Sequence, residues 1–303
     1  MAGKVSVGSS AFALGTYESR PIALDRLVAR LEELGFQGIE LLGMKPYADP
    51  EEIASKADRI KLVTMLKGHG LEISNFGADF KERSPASEDS TERDHYRELF
   101  TRNLQFCVDC SIPSIRVDTV NEPPLISGVR YDDAWNRFVD TWQHCAEEAQ
   151  AEGVLVVWEF EPGFQFNKPN QVLKMVEAVN HPNFKVLFDS CHGHMCAVKG
   201  ARQEEPLNTL PGGAAEFARI LGAHIGYVHL IDSDNTLHDN WTSTHAPFGA
   251  GCIDFDAVVE AILEAGYRDD WWTIDLCFWP NAWEVLGESK RFMDDLLNRH
   301  GVV

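Results

Sequence analysis

The 303-residue chain has no run of about 18 consecutive apolar residues, so nothing in it is built to cross a membrane as a helix. Its opening stretch, "MAGKVSVGSSAFALG", lacks the basic start and extended apolar run of a signal peptide and reads as a first strand. The cytoplasm is therefore the expected location. Basic residues are scarce: 27 Lys and Arg stand against 47 Asp and Glu, a formal charge of −20. A surface this acidic repels phosphate backbones and anionic lipid, and no local basic cluster offsets it, which argues against nucleic acid or a membrane as partner. The seven cysteines are odd in number and scattered. Cys107 and Cys110 form a CxxC with no second pair at zinc-site spacing, and late in an expected helix they read as a buried reduced pair. A dinucleotide fingerprint is missing too, since "GSSAFALG" after the first strand is not GxGxxG.

What the chain does contain is a regular alternation. Short apolar or β-branched runs, "KVSVGSSAF", "GIELLG", "LEISNFGA", "SIRVDTV", "VLVVWEFE", "FKVLFDS", "IGYVHLID" and "WWTIDLCF", are separated by amphipathic segments such as "ALDRLVARLEELG" and "FDAVVEAILEAG". Those two segments stop at glycine, a common helix C-terminus. Strand–helix alternation predicts a parallel sheet with crossover helices. Eight such units in one chain match a closed (β/α)₈ TIM barrel, whose usual size is about 250 residues. A doubly wound sheet would need a switch point and a glycine-rich first turn. We expect one α/β domain over residues 1–303, with an extra C-terminal helix at about 282–299 and no linker.

Barrels of this kind place their chemistry at the carboxyl ends of the strands. The fifth strand carries Glu159 and Glu161 on one side, the sixth ends in Asp189, the seventh carries His229 with Asp232 beyond it, and the eighth carries Asp275. Glu159, Asp189, His229 and Asp275 are 30, 40 and 46 residues apart, about one strand–helix unit each. A single strand-end acid is more often a helix cap, and a lone histidine is usually structural. Three carboxylates and an imidazole on four consecutive strand ends instead call for a cation to offset their repulsion. Mixed oxygen and nitrogen donors suit Mn²⁺, which leads our expectation, or Mg²⁺, Co²⁺, Fe²⁺ or Zn²⁺.

With "WEFEPGFQFN", "FDSCHGHM", "YVHLIDS", "THAPFGAGCIDFDAV" and "WWTIDLCFWPNAWE", the chain resembles the xylose-isomerase-like barrel superfamily over nearly its whole length. That superfamily includes ketose 3-epimerases, inosose dehydratases and isomerases, and metal-dependent AP endonucleases. The resemblance implies that Glu159, Asp189, His229 and Asp275 ligate a divalent metal. It also implies that His192 touches a substrate hydroxyl or a metal-bound oxygen and that His245 is a polar loop residue near the site. Two departures stand out. The ligand on the eighth strand is usually Glu, and the "GAG" containing Ala250 often reads GEG.

Two reactions follow. In the first, a sugar isomerase or epimerase acts on a ketose or keto-polyol through a metal-bound enediolate, with Glu159 or Glu161 removing the proton and Asp275 or His192 returning it. In the second, a lyase or dehydratase expels a group β to the carbonyl of a keto-sugar, 3-keto-glycoside or keto-inositol, with His192, His194 or His245 protonating the leaving oxygen. An AP endonuclease is disfavoured by charge, and a non-catalytic sugar-binding barrel by the full ligand set. Substrate contacts are expected from Glu161, His194, His245, Trp241, Phe248 and Arg116, although Glu161 could be a solvated acid and Arg116 could simply pair with Glu40. Residues 238–245 read as a lid or an inert loop, and 200–213 as a polar insertion. Late apolar and aromatic residues suggest a homodimer or homotetramer, and the resemblance implies a role in carbohydrate metabolism.

Overall fold

The computed structural model describes residues 3–119, 131–239 and 241–302. Eight parallel strands form the barrel sheet: β1 (Lys4–Val7), β2 (Gly38–Gly43), β3 (Glu72–Ala78), β4 (Ser114–Val117), β5 (Leu155–Glu159), β6 (Phe184–Asp189), β7 (Ile225–Leu230) and β10 (Trp271–Ile274). They run in the order β1-β10-β7-β6-β5-β4-β3-β2. The remaining seam, between β1 and β2, is nearly closed by a parallel bridge from Gly8 to Glu40 and by Leu42 N–H donating to Ser9 Oγ at 2.8 Å. The fold is the expected α/β TIM barrel.

Between these strands run α1 (Leu24–Glu33), α2 (Lys56–Gly68), α3 (Ser90–Cys110), α4 (Tyr131–Ala151), α5 (Pro169–Val179), the short α6 (Ser190–His194), α7 (Gly213–Leu221) and α8 (Phe255–Glu264). The expected C-terminal helix is α9 (Ala282–Arg299). Side-chain caps fix where several of them start: Ser55 accepts from Asp58 N–H, Asp89 from Thr91 N–H, and Asp254 from Ala257 N–H. Cys107 and Cys110 lie late in α3, buried and unbonded, as their spacing suggested. Among the described residues no helix is long and apolar enough to span a membrane.

Strand alternation decides what faces inward. Trp158 turns outward to stack near Trp142 of α4, with ring centroids 5.1 Å apart. Two residues before Glu159, Asp189 and His229, the side chains of Val157, Leu187 and Tyr227 meet Trp271 in a small apolar cluster of their own. Above it, Tyr227 Oη bonds Ser74 Oγ at 2.8 Å and Thr273 Oγ1 at 2.5 Å, and Thr273 bonds Ser6 at 2.7 Å. The hydroxyls of Tyr227, Ser74, Thr273 and Ser6 thus satisfy one another, as burial requires.

Two segments differ from expectation. The first strand stops at Val7, and Ser9–Phe12 forms a 3₁₀ turn, because Gly8 and Ser9 are engaged in closing the seam. The stretch read as a lid or an inert loop, 238–245, is strand in its last part: Ser243–Ala246 forms β9, which pairs antiparallel with β8 (Asp232–Leu237) as a hairpin between β7 and α8, while residue 240 lies outside the described residues. Asp232 anchors the chain beyond the hairpin, its carboxylate accepting N–H bonds from Gly249, Gly251 and Ile253, all at 3.0 Å.

Candidate metal centre

Glu159 and Asp189 are the last residues of β5 and β6, His229 is next to last in β7, and Asp275 directly follows β10. All four are buried, and each offers a ligand atom within 4.8 Å of the other three. His229 Nδ1 lies 3.1 Å from Glu159 Oε1, 3.6 Å from Asp275 Oδ2 and 3.9 Å from Asp189 Oδ2. Glu159 Oε1, Asp189 Oδ2 and His229 Nδ1 are buried without a hydrogen-bond partner. Unpaired donor atoms turned toward one another in a dry site are costly unless something shared satisfies them. Three carboxylate oxygens and one imidazole nitrogen fit a divalent cation.

A second carboxylate sets the imidazole. Glu40 Oε2 sits 2.9 Å from His229 Nε2 and also accepts from Asn75 Nδ2 at 3.1 Å. With Nε2–H donated to Glu40, Nδ1 is the nitrogen left to bind a cation, the carboxylate–histidine arrangement common in metal sites. Burial opposes protonation of His229, but the Glu40 and Glu159 carboxylates outweigh it and hold the imidazole well above its usual range. Glu40 therefore pairs with His229. Arg116 instead places Nη1 2.6 Å from Glu159 Oε2 and Nη2 3.4 Å from Asp118 Oδ2.

The remaining groups divide by environment. Burial works against ionised Glu159, yet Arg116 and His229 prevail and hold its pKa down at about 2. Glu161, hydrogen-bonded to Thr242, is pushed up to about 8, first by burial and then by the Glu159 charge. Burial likewise lifts Asp189 to about 7. Asp275 stays below the usual carboxylate range because His245 and His229 overcome its burial, and its Oδ1 accepts Cys277 N–H at 2.9 Å. His192 is driven down to about 3 by burial and by His245, while burial of His245 is outweighed by Asp275 and Asp189, raising it to about 9.

A cavity of about 210 Å³ opens above the cluster, lined by Glu159, Asp275, Arg116, Glu161, His192 and His245 among others. A larger hollow, about 720 Å³, lies at the other end of the strands beside Lys4, Glu72 and Trp271. We assign the site to the smaller one, which alone contains the convergent buried acids and imidazoles. The hairpin completes it: Thr242 bonds Glu161, and Ser243 Oγ lies 2.9 Å from His192 Nδ1. No sequence signal marked either hydroxyl, nor the Glu40–His229 pair.

Three expected substrate contacts lie elsewhere. Phe248 stacks on Phe292 at 4.5 Å and against Phe255, packing α8 to α9. His194 Nε2 turns to Asn235 Oδ1 at 2.9 Å. Trp241 is 49% exposed and carries Arg202 over its ring at 4.5 Å. None of the three lines the cavity.

The family profile described as "Xylose isomerase-like TIM barrel" matches residues 28–296. The chain belongs to this family. It is 25% identical over 263 residues to L-ribulose-5-phosphate 3-epimerase UlaE of Escherichia coli, covering 84% of each protein. As an xylose isomerase-like barrel it superimposes on D-psicose 3-epimerase of Clostridium cellulolyticum H10 with a TM-score of 0.73 at 16% identity, covering 99% of each chain. IolI protein with a bound zinc atom matches with a TM-score of 0.72 at 18% identity, covering 97% of this chain and 96% of that one. At such identities the structural likenesses speak for the fold.

Proposed function

We propose that this protein is a divalent-metal-dependent sugar isomerase or epimerase that moves a proton on carbon next to a carbonyl of a ketose or keto-polyol. The observation that carries this reading is the quartet Glu159, Asp189, His229 and Asp275, whose donor atoms face one another with three of them unpaired. Its membership of the family and its epimerase relative support it. When bound, the cation, Mn²⁺ by our reading, would polarise a substrate carbonyl as a Lewis acid.

The chain's own residues supply the proton transfer. Glu159 is fixed in its ionised form by Arg116 and makes a weak base. Glu161 lines the cavity beside Glu159 and is bonded to Thr242, and burial pushes its carboxyl up to about 8, into the range where a proton can be held and released near neutral pH, so we assign it the general acid–base role. Asp275 is pinned by Cys277 N–H and faces His229 and His245, which suits a ligand better than a mobile base. At about 210 Å³ the cavity is smaller than the roughly 300–1,000 Å³ of typical ligand pockets and suits one small sugar.

Charge narrows the substrate. Arg116, the sole Lys or Arg among the described cavity-lining residues, is engaged by Glu159 and Asp118. Acidic walls repel a phosphate dianion. The substrate class is an unphosphorylated sugar, unlike the sugar phosphate in the name of the E. coli relative.

Incubation of the Mn²⁺-loaded protein with ketoses, inososes and 3-keto-glycosides in D₂O tests this. Deuterium on carbon with otherwise retained mass is expected, and Glu161→Gln is expected to slow exchange by about 10²–10⁴ while still binding Mn²⁺. Net loss of water or an aglycone would make the enzyme a lyase. Exchange no faster than the protein-free control across the panel would overturn the proposal.

A further inference from the structure

An aromatic platform stands just outside the sugar-sized cavity. Trp241 does not line that cavity, and 49% of the residue is open to solvent. Yet the chain on either side of it reaches the rim. Thr242 lines the cavity and bonds Glu161, and His238 stacks on the cavity-lining Phe278 with ring centroids 5.0 Å apart. We propose that Trp241 is the stacking surface of an outer subsite for a second ring carried by the reacting sugar. The substrate class is then a glycoside of a keto-sugar rather than a free monosaccharide, a conclusion that rests on the sugar chemistry proposed above.

The backbone supplies the first argument. Trp241 at φ 70° and Phe278 at φ 63° both hold left-handed conformations, which bulky side chains avoid. Such strain persists only where the surroundings impose it, and it gathers at ligand clamps. Here the surroundings are explicit. Trp241 N–H donates to His238 O and His238 N–H to Thr242 O, both at 2.8 Å. The Trp241 carbonyl packs on Gly163, where a Cβ would sit 3.4 Å from it.

Bracing of the ring is the second argument. The Arg202 guanidinium lies over the indole at 4.5 Å and holds it in place while about half of the residue stays exposed. A surface fixed before binding loses little freedom when a ligand arrives. Size is the third. The cavity of about 210 Å³ is filled by one sugar ring, so a second ring has to lie at the rim. An indole face suits it, because the C–H face of a pyranose or the face of an aryl ring packs flat on such a surface.

Two matched pairs of probes test the subsite: D-fructose against palatinose, which is fructose carrying a glucosyl ring, and methyl against phenyl 3-keto-β-D-glucopyranoside. Turnover by the Mn²⁺-loaded protein in D₂O and calorimetric binding are measured for wild type, Trp241→Ala and Trp241→Phe. In at least one pair, wild type is expected to favour the two-ring member by about tenfold in kcat/KM, carried by KM, near the upper end of what ring stacking supplies. The pair that shows it says whether the second ring is a sugar or an aryl group. That preference should vanish in Trp241→Ala and return in Trp241→Phe. No preference in either pair overturns the proposal. So does a preference that survives Trp241→Ala, and a fall in the mass of the particle by light scattering in that variant would then make Trp241 a subunit contact. If no probe turns over, the proposed reaction fails and calorimetry still decides the subsite. Two-ring binding that weakens about tenfold in Trp241→Ala supports it, and equal or absent binding overturns it.

Discussion

Replacing Glu40 by glutamine tests how far the metal centre depends on a residue outside the quartet. Glu40 accepts from His229 Nε2 at 2.9 Å and from Asn75 Nδ2 at 3.1 Å, so glutamine can keep the shape and one acceptor but loses the charge. A carboxylate behind a ligating imidazole raises its basicity and fixes its tautomer, and removing such a partner costs about 10–100-fold in metal affinity. That corresponds to about 1.4–2.8 kcal/mol of binding free energy. Calorimetric titration of the metal-free wild type and Glu40→Gln with Mn²⁺ should show this loss. Thermal stability in the metal-free state should move much less, because the hydrogen bonds can be retained. Glu40→Ala, which strands the buried Nε2–H, should in addition lower stability by about 1–3 kcal/mol. Equal Mn²⁺ affinity in wild type and Glu40→Gln would refute the proposed tie between Glu40 and a ligating His229.

Arg116→Met should destabilise the metal-free protein by about 3 kcal/mol in urea unfolding, since breaking a buried pair leaves Glu159 uncompensated. With saturating Mn²⁺ the loss should shrink, and an equal loss in both states would contradict a cation beside Glu159. Mn²⁺ affinity should also rise with pH. Burial holds a proton on Asp189 up to about 7, so below that pH an incoming ion must displace it. Affinity should therefore fall by about tenfold per pH unit per displaced proton as pH drops below 7. Isothermal titration in buffers of different ionisation enthalpy reads the released protons, and a flat profile between pH 5 and 7 would count against a ligating Asp189.

The four quartet residues were legible in the sequence because a barrel repeats itself. Each strand delivers a side chain at or next to its carboxyl end to the same rim, so donors spaced by one strand–helix unit converge when the strands are read correctly. The C-terminal helix was legible for a similar local reason, its amphipathic run. What escaped notice depended on contacts between distant segments. Glu40 and His229 are 189 residues apart, and nothing in "FQGIELLG" says which partner its acid will meet. The hairpin strand "DSDNTL" has little of the β-branched alternation that marks strands, and is held instead by pairing with β9. By sequence Phe248 reads as a substrate contact because it sits in the long loop after the seventh barrel strand. The packing of α8 on α9 claims it for the core.

The central claim is that side chains 159, 189, 229 and 275 hold one cation between them. Anomalous diffraction at the manganese edge, on crystals grown with Mn²⁺, tests it most directly. The account predicts a peak enclosed by Glu159 Oε1, Asp189 Oδ2, His229 Nδ1 and an Asp275 carboxylate oxygen, at ligand distances near about 2.0–2.2 Å. Manganese bound only elsewhere, for example in the hollow beside Lys4 and Trp271, with none inside the quartet, would contradict it.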